Sequence, residues 1–139
     1  MLSMINNTRA QYGLPAYTLN ATQANGTGSC VGSYGHSTAM ARSGVIWHTN
    51  VSYPRASFPR DICLSFSAAG ENVGMGGYGN EITDLQRLLS NMMSEPHDAT
   101  TCSRTYNHAC NILSRNFHRI GIGIYYSNNR TWLTEDFTN

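Results

Sequence analysis

Two histidines and two glutamates carry the chemistry this sequence offers. His48 sits in Trp47-His48-Thr49-Asn50, Glu71 in Ala69-Gly70-Glu71-Asn72-Val73-Gly74, Glu95 closes Met92-Met93-Ser94-Glu95, and His108 opens His108-Ala109-Cys110-Asn111-Ile112-Leu113. Neutral imidazole is the commonest zinc ligand near neutral pH, so two histidines from separate elements suit a divalent cation. Two alone leave such a site open, with water, a substrate group or a glutamate as the next ligand. A carboxylate beside a histidine fixes the ring's tautomer and strengthens it as a ligand. Each residue also has a plainer role available. His48 could be a loop histidine bonded to backbone, and His108 a helix N-terminal residue. Glu71 could accept backbone N–H groups after a strand, and Glu95 could be a surface residue at a helix end fixed by Pro96.

Other chemistry finds little support. No Gly-x-Ser-x-Gly elbow, Walker loop or His-Glu-x-x-His is present, which removes the familiar hydrolase and nucleotide machinery. Ser37 and Ser94 lie near the histidine motifs, but neither has a base assigned by sequence. His36, on a helix with Ser37 and Met40, reads as structural. His97 and His118 have no nameable partner, although His97 could swing over a cleft from its loop.

The order of these motifs resembles the CAP superfamily of cysteine-rich secretory proteins, antigen 5 and pathogenesis-related 1 proteins, in particular its bacterial extracellular branch. The resemblance also takes in Phe117-His118-Arg119-Ile120-Gly121-Ile122-Gly123 and Trp132-Leu133-Thr134-Glu135-Asp136-Phe137, and runs from Leu2 to Phe137. It implies one domain over 1–139, an α+β chain folded as a three-layer α-β-α sandwich with a central antiparallel sheet. It also implies that His48, Glu71, Glu95 and His108 converge on one cleft. Many bacterial relatives lack the second glutamate, so Glu95 is informative. Residues 94–107 are longer than the family's usual Ser-Pro-Gly-His turn.

Composition sets the compartment and the partners. The 139 residues suffice for one domain with its own core. A net charge of +1 gives no electrostatic case for nucleic acid. Charged residues are only 12%, about half the usual share, and all nine basic residues are Arg. Such a surface, solvated by hydroxyls and amides, suits an extracellular, glycosylated or polymerised protein. Asn-x-Ser/Thr acceptors at Asn6, Asn20, Asn25, Asn50 and Asn129 are glycosylation candidates, with unmodified loop and cap residues as the alternative. Four Cys without a Cys-x-x-Cys pair favour disulfides over a zinc cluster. Three pairings are open; Cys30–Cys63 and Cys102–Cys110 are expected because each brackets one segment. These would contribute about 4 and about 2.5 kcal/mol by loop closure. No run approaches the ~20 apolar residues of a membrane span. The first residues pattern as amphipathic helix rather than signal peptide, so export is an inference.

The elements that must position the four residues follow from periodicity. Residues 2–12 have helical spacing ended by Gly13 and Pro15. Residues 14–19 read as a loop docked on the core. A second helix starts after Asn20 or Thr22 and runs to about Ser43, its glycines implying a broken or late first half, with Cys30, Tyr34, Thr38 and Ala41 on one face. A short helix is expected at 55–63 and a buried strand at 68–75. A helix at 82–93 turns Ile82, Leu85, Leu88 or Leu89, and Met92 inward, and Asp84 and Arg87 to water. Arg119–Tyr126 and Thr131–Phe137 form a hairpin, with Gly121 and Gly123 baring one face for a close helix.

Three functions compete on these grounds. The first is a secreted binding or matrix module for an unknown extracellular ligand, its His/Glu cleft suited to weakly held Zn2+ on His48 and His108. The second is a self-associating, glycosylated surface or fibre subunit, since low charge density weakens repulsion between copies. The third is a metal-dependent hydrolase with Glu71 or Glu95 as base.

Overall fold

Three asparagines set helix starts: Asn20, Asn80 and Asn107 accept, through Oδ1, the backbone N–H of Gln23, Thr83 and Cys110 at 3.0, 2.9 and 2.8 Å. The computed structural model describes residues 1–48, 61–77, 79–97, 102 and 107–139. In chain order these hold α1 (Leu2–Gln11), β1 (Thr18–Leu19), α2 (Ala21–Asn25), α3 (Gly32–Ser43), β2 (Ala69–Gly76), α4 (Glu81–Met93), α5 (His108–Leu113), β3 (Arg119–Ser127) and β4 (Arg130–Thr138).

The strands form a sheet in the order β1-β3-β4-β2. β3, β4 and β2 run antiparallel, and β1 joins β3 in parallel through Thr18 and Leu19. The sheet is therefore mixed: the segment read as a docked loop adds a two-residue strand. Asn128 and Asn129 turn the β3–β4 hairpin at φ 51° and 56°, the left-handed pair that a two-residue turn between twisted strands requires.

Alternation along β4 sorts the two layers. Leu133 and Phe137 face α1, α4 and α5, closing the main core with Ile5, Leu85, Leu88, Ile112, Leu113 and Ile120. Trp132 faces α3 and meets Met40 and Val73. The α3 side is otherwise polar. Ser33 Oγ donates to Asp136 Oδ2 at 2.6 Å, Gln23 Nε2 to Asp136 O at 2.6 Å, and Ser37 Oγ lies 2.9 Å from both Gly123 O and Thr134 Oγ1. Those short links need α3 almost on the sheet. A Cβ at Gly123 would collide with the Ser33 backbone.

Several expectations change. The helix proposed from 20 to 43 is two helices, α2 and α3, separated by the glycine-rich stretch; α3 ends at Gly44 in the left-handed conformation, φ 70°. Its buried face is Ser33, His36, Ser37 and Met40 rather than Cys30, Tyr34, Thr38 and Ala41, because polar partners on β3 and β4 take hydroxyls. On α4, Ile82 is 64% exposed, while Asp84 is buried and accepts from Thr131 Oγ1 at 2.8 Å. Of the short helix expected at 55–63, residues 55–60 lie outside the described residues and 61–63 are not helical. Cys30 is bonded to Cys63 and Cys102 to Cys110. Among the described residues, no helix is long and apolar enough to cross a membrane.

Candidate functional site

Four element ends deliver the four side chains. Gly44 stops α3 and releases Val45–Trp47 toward His48. Glu71 lies near the start of β2, the outer strand beside β4. Alternation sends Asn72 to the α5 side and Glu71 to the α3 side. Glu95 follows the last turn of α4, and His108 is the first residue of α5. Asn111 ties α5 to β2, donating from Nδ2 to Glu71 O at 3.2 Å and Asn72 Oδ1 at 2.9 Å.

The geometry is two matched pairs. His48 Nδ1 lies 2.7 Å from Glu71 Oε1, and His108 Nδ1 lies 2.5 Å from Glu95 Oε1. Glu95 Oε2 also accepts the His108 backbone N–H at 2.8 Å. Burial alone would raise the Glu95 carboxyl. The His108 ring and the backbone N–H groups of His108 and Ala109 outweigh it and hold the group below the usual carboxylate value. The two imidazoles stack, centroids 6.5 Å apart and planes 26° from parallel. With each Nδ1–H donated to a carboxylate, each Nε2 keeps its lone pair for a ligand. His48 has a side chain 44% exposed above a Glu71 only 5% exposed, whereas His108 and Glu95 are equally open at 32% and 31%.

Two imidazoles and two carboxylates are donor types found in open cation sites. One tetrahedral zinc at about 2.0–2.1 Å from both Nε2 atoms would bring the ring centres to about 5 Å, and the rings as placed are wider than that, at 6.5 Å. A second group lies below. The donor atoms of His36, Asp61 and Glu71 lie within 4.8 Å of one another and could hold a metal ion. His36 Nδ1 is 2.9 Å from Asp61 Oδ2 and 3.2 Å from Glu71 Oε2, and Nε2 is 3.0 Å from Trp47 O. Burial alone would lower this imidazole, but its hydrogen bonds to Asp61 and Glu71 and their charges push it up to about 9. A protonated ring is no metal ligand, so at neutral pH the proton already does the cation's work there.

Behind Asp61 and Glu71 stands Asp136, fully buried and raised well above its ordinary value by burial and by those two charges. Neither Asp61 nor Asp136 was given a role from the sequence. The available signal was Glu135-Asp136 within a strand otherwise apolar or threonine, where two acids have no reason to lie unless they are partnered.

The remaining candidates go elsewhere. His97 donates from Nδ1 to Glu95 O at 2.7 Å and meets Tyr12 Oη at Nε2, 3.1 Å, so it braces the turn after α4. The His118 side chain is exposed, and its backbone links β1 and β4. Ser94 Oγ donates to Asn91 O at 2.7 Å, and Ser37 is buried against the sheet. Asn6 brackets Tyr17, its Oδ1 accepting from the backbone N–H at 2.8 Å, and Asn20 caps α2. Asn25 ends α2 and Asn129 sits in the hairpin turn; Asn50 lies outside the described residues.

The comparisons can now be set against this geometry. The model of the cysteine-rich secretory protein (CAP) family matches residues 2–137. The chain belongs to the CAP family. Its CAP fold is also that of an outer surface protein of Borrelia burgdorferi, at a TM-score of 0.70 and 15% identity over 99% of this chain and 88% of that one. No curated protein sequence matches the chain. Within this CAP domain, His108 depends on its own cap. Asn107→Ala is expected to cost about 1 kcal/mol in thermal unfolding, with the larger relative change in hydrogen exchange at α5.

Proposed function

We propose that this chain is an extracellular or cell-surface CAP domain, spanning 1–139, that serves as a binding or matrix module and takes a divalent cation weakly in its His48/Glu71/Glu95/His108 cleft. The observation that carries this is the matched arrangement of the two pairs: each ring is held through Nδ1 by its own carboxylate, and the two rings stack. Two disulfides suit an oxidising compartment. The Borrelia relative's description as an outer surface protein agrees with a surface location. His48 and His108 would hold the ion, Glu71 and Glu95 would orient them, and the ion would supply a positive, exchangeable anchor for an acidic or carbonyl group of a ligand. A metal-dependent hydrolase would need Glu71 or Glu95 free to act as base, and each already faces its histidine's Nδ1.

Zinc titration by calorimetry at pH 7.5 tests the reading. Weak binding is expected in the wild type and none in His108→Ala. Occupancy should fall on acidification, because protons compete for Nε2. Thermal stabilisation should stay near 2.7 kcal/mol or below, the linkage value at about a hundredfold excess over Kd. Absence of heat at pH 7.5 would remove the cation and leave a metal-free binding cleft.

The second reading, a self-associating and glycosylated surface subunit, is favoured by exposed Val31, Tyr34, Val45 and Ile46 on a charge-poor chain. Light scattering over a concentration series would reveal it.

A further inference from the structure

Among the described residues, every group facing a ring nitrogen of His36 is a carbonyl or a carboxylate. Nε2 meets the Trp47 carbonyl at 3.0 Å, which cannot donate, so Nε2 carries a proton; Nδ1 meets two carboxylate oxygens at 2.9 and 3.2 Å, whose charges favour a second. The ring is thus placed to be a buried imidazolium among Asp61, Glu71 and, behind them, Asp136. Two of its contacts lead to His48. Glu71 spans the pair, Oε2 toward His36 and Oε1 toward His48. Trp47, the residue before His48, gives its carbonyl to His36 and lays its indole against the ring, centroids 4.3 Å apart.

From this geometry we infer that His36 is the positioning residue of the cleft: it fixes Oε2 of Glu71, aims Oε1 at His48 Nδ1, and so holds His48 as the Nδ1–H tautomer with Nε2 open to a ligand. This rests on the proposed role of His48 as a ligand-bearing ring. The link matters because an unconstrained neutral imidazole in water favours the opposite tautomer, which would cover Nε2 with a proton. Among the described residues His108 has no such support. Glu95 is about a third exposed and anchored instead by α5 backbone N–H groups, so the two halves of the cleft are oriented by different means. A cation among His36, Asp61 and Glu71 would require the Nδ1 lone pair.

The test uses metal-free, 15N-imidazole-labelled protein and long-range 1H–15N correlation. In the wild type at pH 7.5, both His36 nitrogens are expected to be protonated and His48 to show Nδ1–H with a bare Nε2. In His36→Gln, neutral but still able to donate, the ratio of Nδ1–H to Nε2–H tautomer at His48 should fall at least tenfold while His108 stays unchanged. Zinc affinity should weaken about tenfold, as for other outer-sphere partners. If His36→Gln does not fold, the wild-type spectrum still decides. One bare nitrogen on His36, or zinc perturbing His36 before His48, would overturn the inference. So would an unchanged His48 tautomer in a folded variant. Zinc failing to bind anywhere would sink only the cation reading above, because the tautomer measurement needs no metal.

Discussion

Arg9→Met is expected to lower stability by about 4 kcal/mol. Arg9 lies in α1 and is fully buried with no carboxylate against its guanidinium. Carbonyls take its charge instead. Nε donates to Pro15 O at 2.7 Å, and Nη1 donates to Ile112 O at 2.6 Å and Ser114 O at 2.9 Å. The last two lie at the C-terminal end of α5, where a cation also meets the negative end of the helix dipole. The guanidinium carbon sits 3.6 Å from the centre of the Tyr17 ring. Burial pulls this guanidinium below its ordinary value, the expected penalty for a charge out of water. Methionine keeps much of the packing and escapes that penalty, but it takes the donor from the buried Ile112 carbonyl, leaves the Ser114 carbonyl to the Tyr17 hydroxyl at 3.2 Å, and frees the more exposed Pro15 carbonyl, at about 1–3 kcal/mol for each buried group. For a chain of this length the loss corresponds to a Tm drop of about 14 °C. Thermal and urea unfolding followed by circular dichroism would measure it. A loss under about 1 kcal/mol would mean that water replaces the guanidinium, and that α5 does not depend on α1.

Glu135→Gln is expected to act in the opposite direction, with a gain that grows as pH rises from about 4.5 to about 7. Glu135 is fully buried on β4. Asn72 Nδ2 donates to its Oε2 at 3.0 Å, and Oε1 has no hydrogen-bond partner among the described residues. Burial pushes its carboxyl from 4.5 up to about 7, the Asn72 hydrogen bond opposing. The native state therefore binds this proton more tightly than the unfolded chain. Its contribution is complete below about pH 4.5 and is lost as pH rises through about 7, a loss on the order of 3 kcal/mol. His36 has the same sign: its share is complete below 6.5 and lost as pH rises through about 9. Glu95, held below its ordinary value, loses its share as pH falls through the acid range. Stability should thus peak in mildly acidic solution. The glutamine variant should match the wild type below about pH 4.5 and exceed it by about 3 kcal/mol at pH 8. Parallel pH profiles for the two proteins would show that Glu135 is ionised throughout and otherwise compensated.

What was legible in the sequence was whatever a period or a cap could encode. The hairpin follows from alternation around an asparagine pair, and the bare Gly121/Gly123 face announced the close approach of α3. The four cleft residues could be named because their motifs keep a fixed order, although nothing in the spacing fixed which nitrogen of each ring would meet its glutamate. Other features resisted for a physical reason. A hydrophobic count treats Asp84, Asp136, Ser33 and His36 as surface, since burying them is favourable only once partners 2.6–3.2 Å away are known. Those partners are distant in the chain: Ser33 to Asp136, Asp84 to Thr131, His36 to Asp61. Ile82 failed in the converse way: its spacing suited the core, yet its place at the first turn of α4 leaves it beyond the sheet's reach.

The two disulfides partition the cleft covalently. His36, His48 and Asp61 all lie within the ring closed by Cys30 and Cys63, His108 lies within the ring closed by Cys102 and Cys110, and Glu71 and Glu95 belong to neither. Every imidazole of the site is thus carried on a tethered span, and every glutamate on the frame that receives it. A span fixed at both ends can change its length or composition between the anchors without re-registering the frame, because the sulfur bridge and the imidazole–carboxylate contact are separate points of attachment.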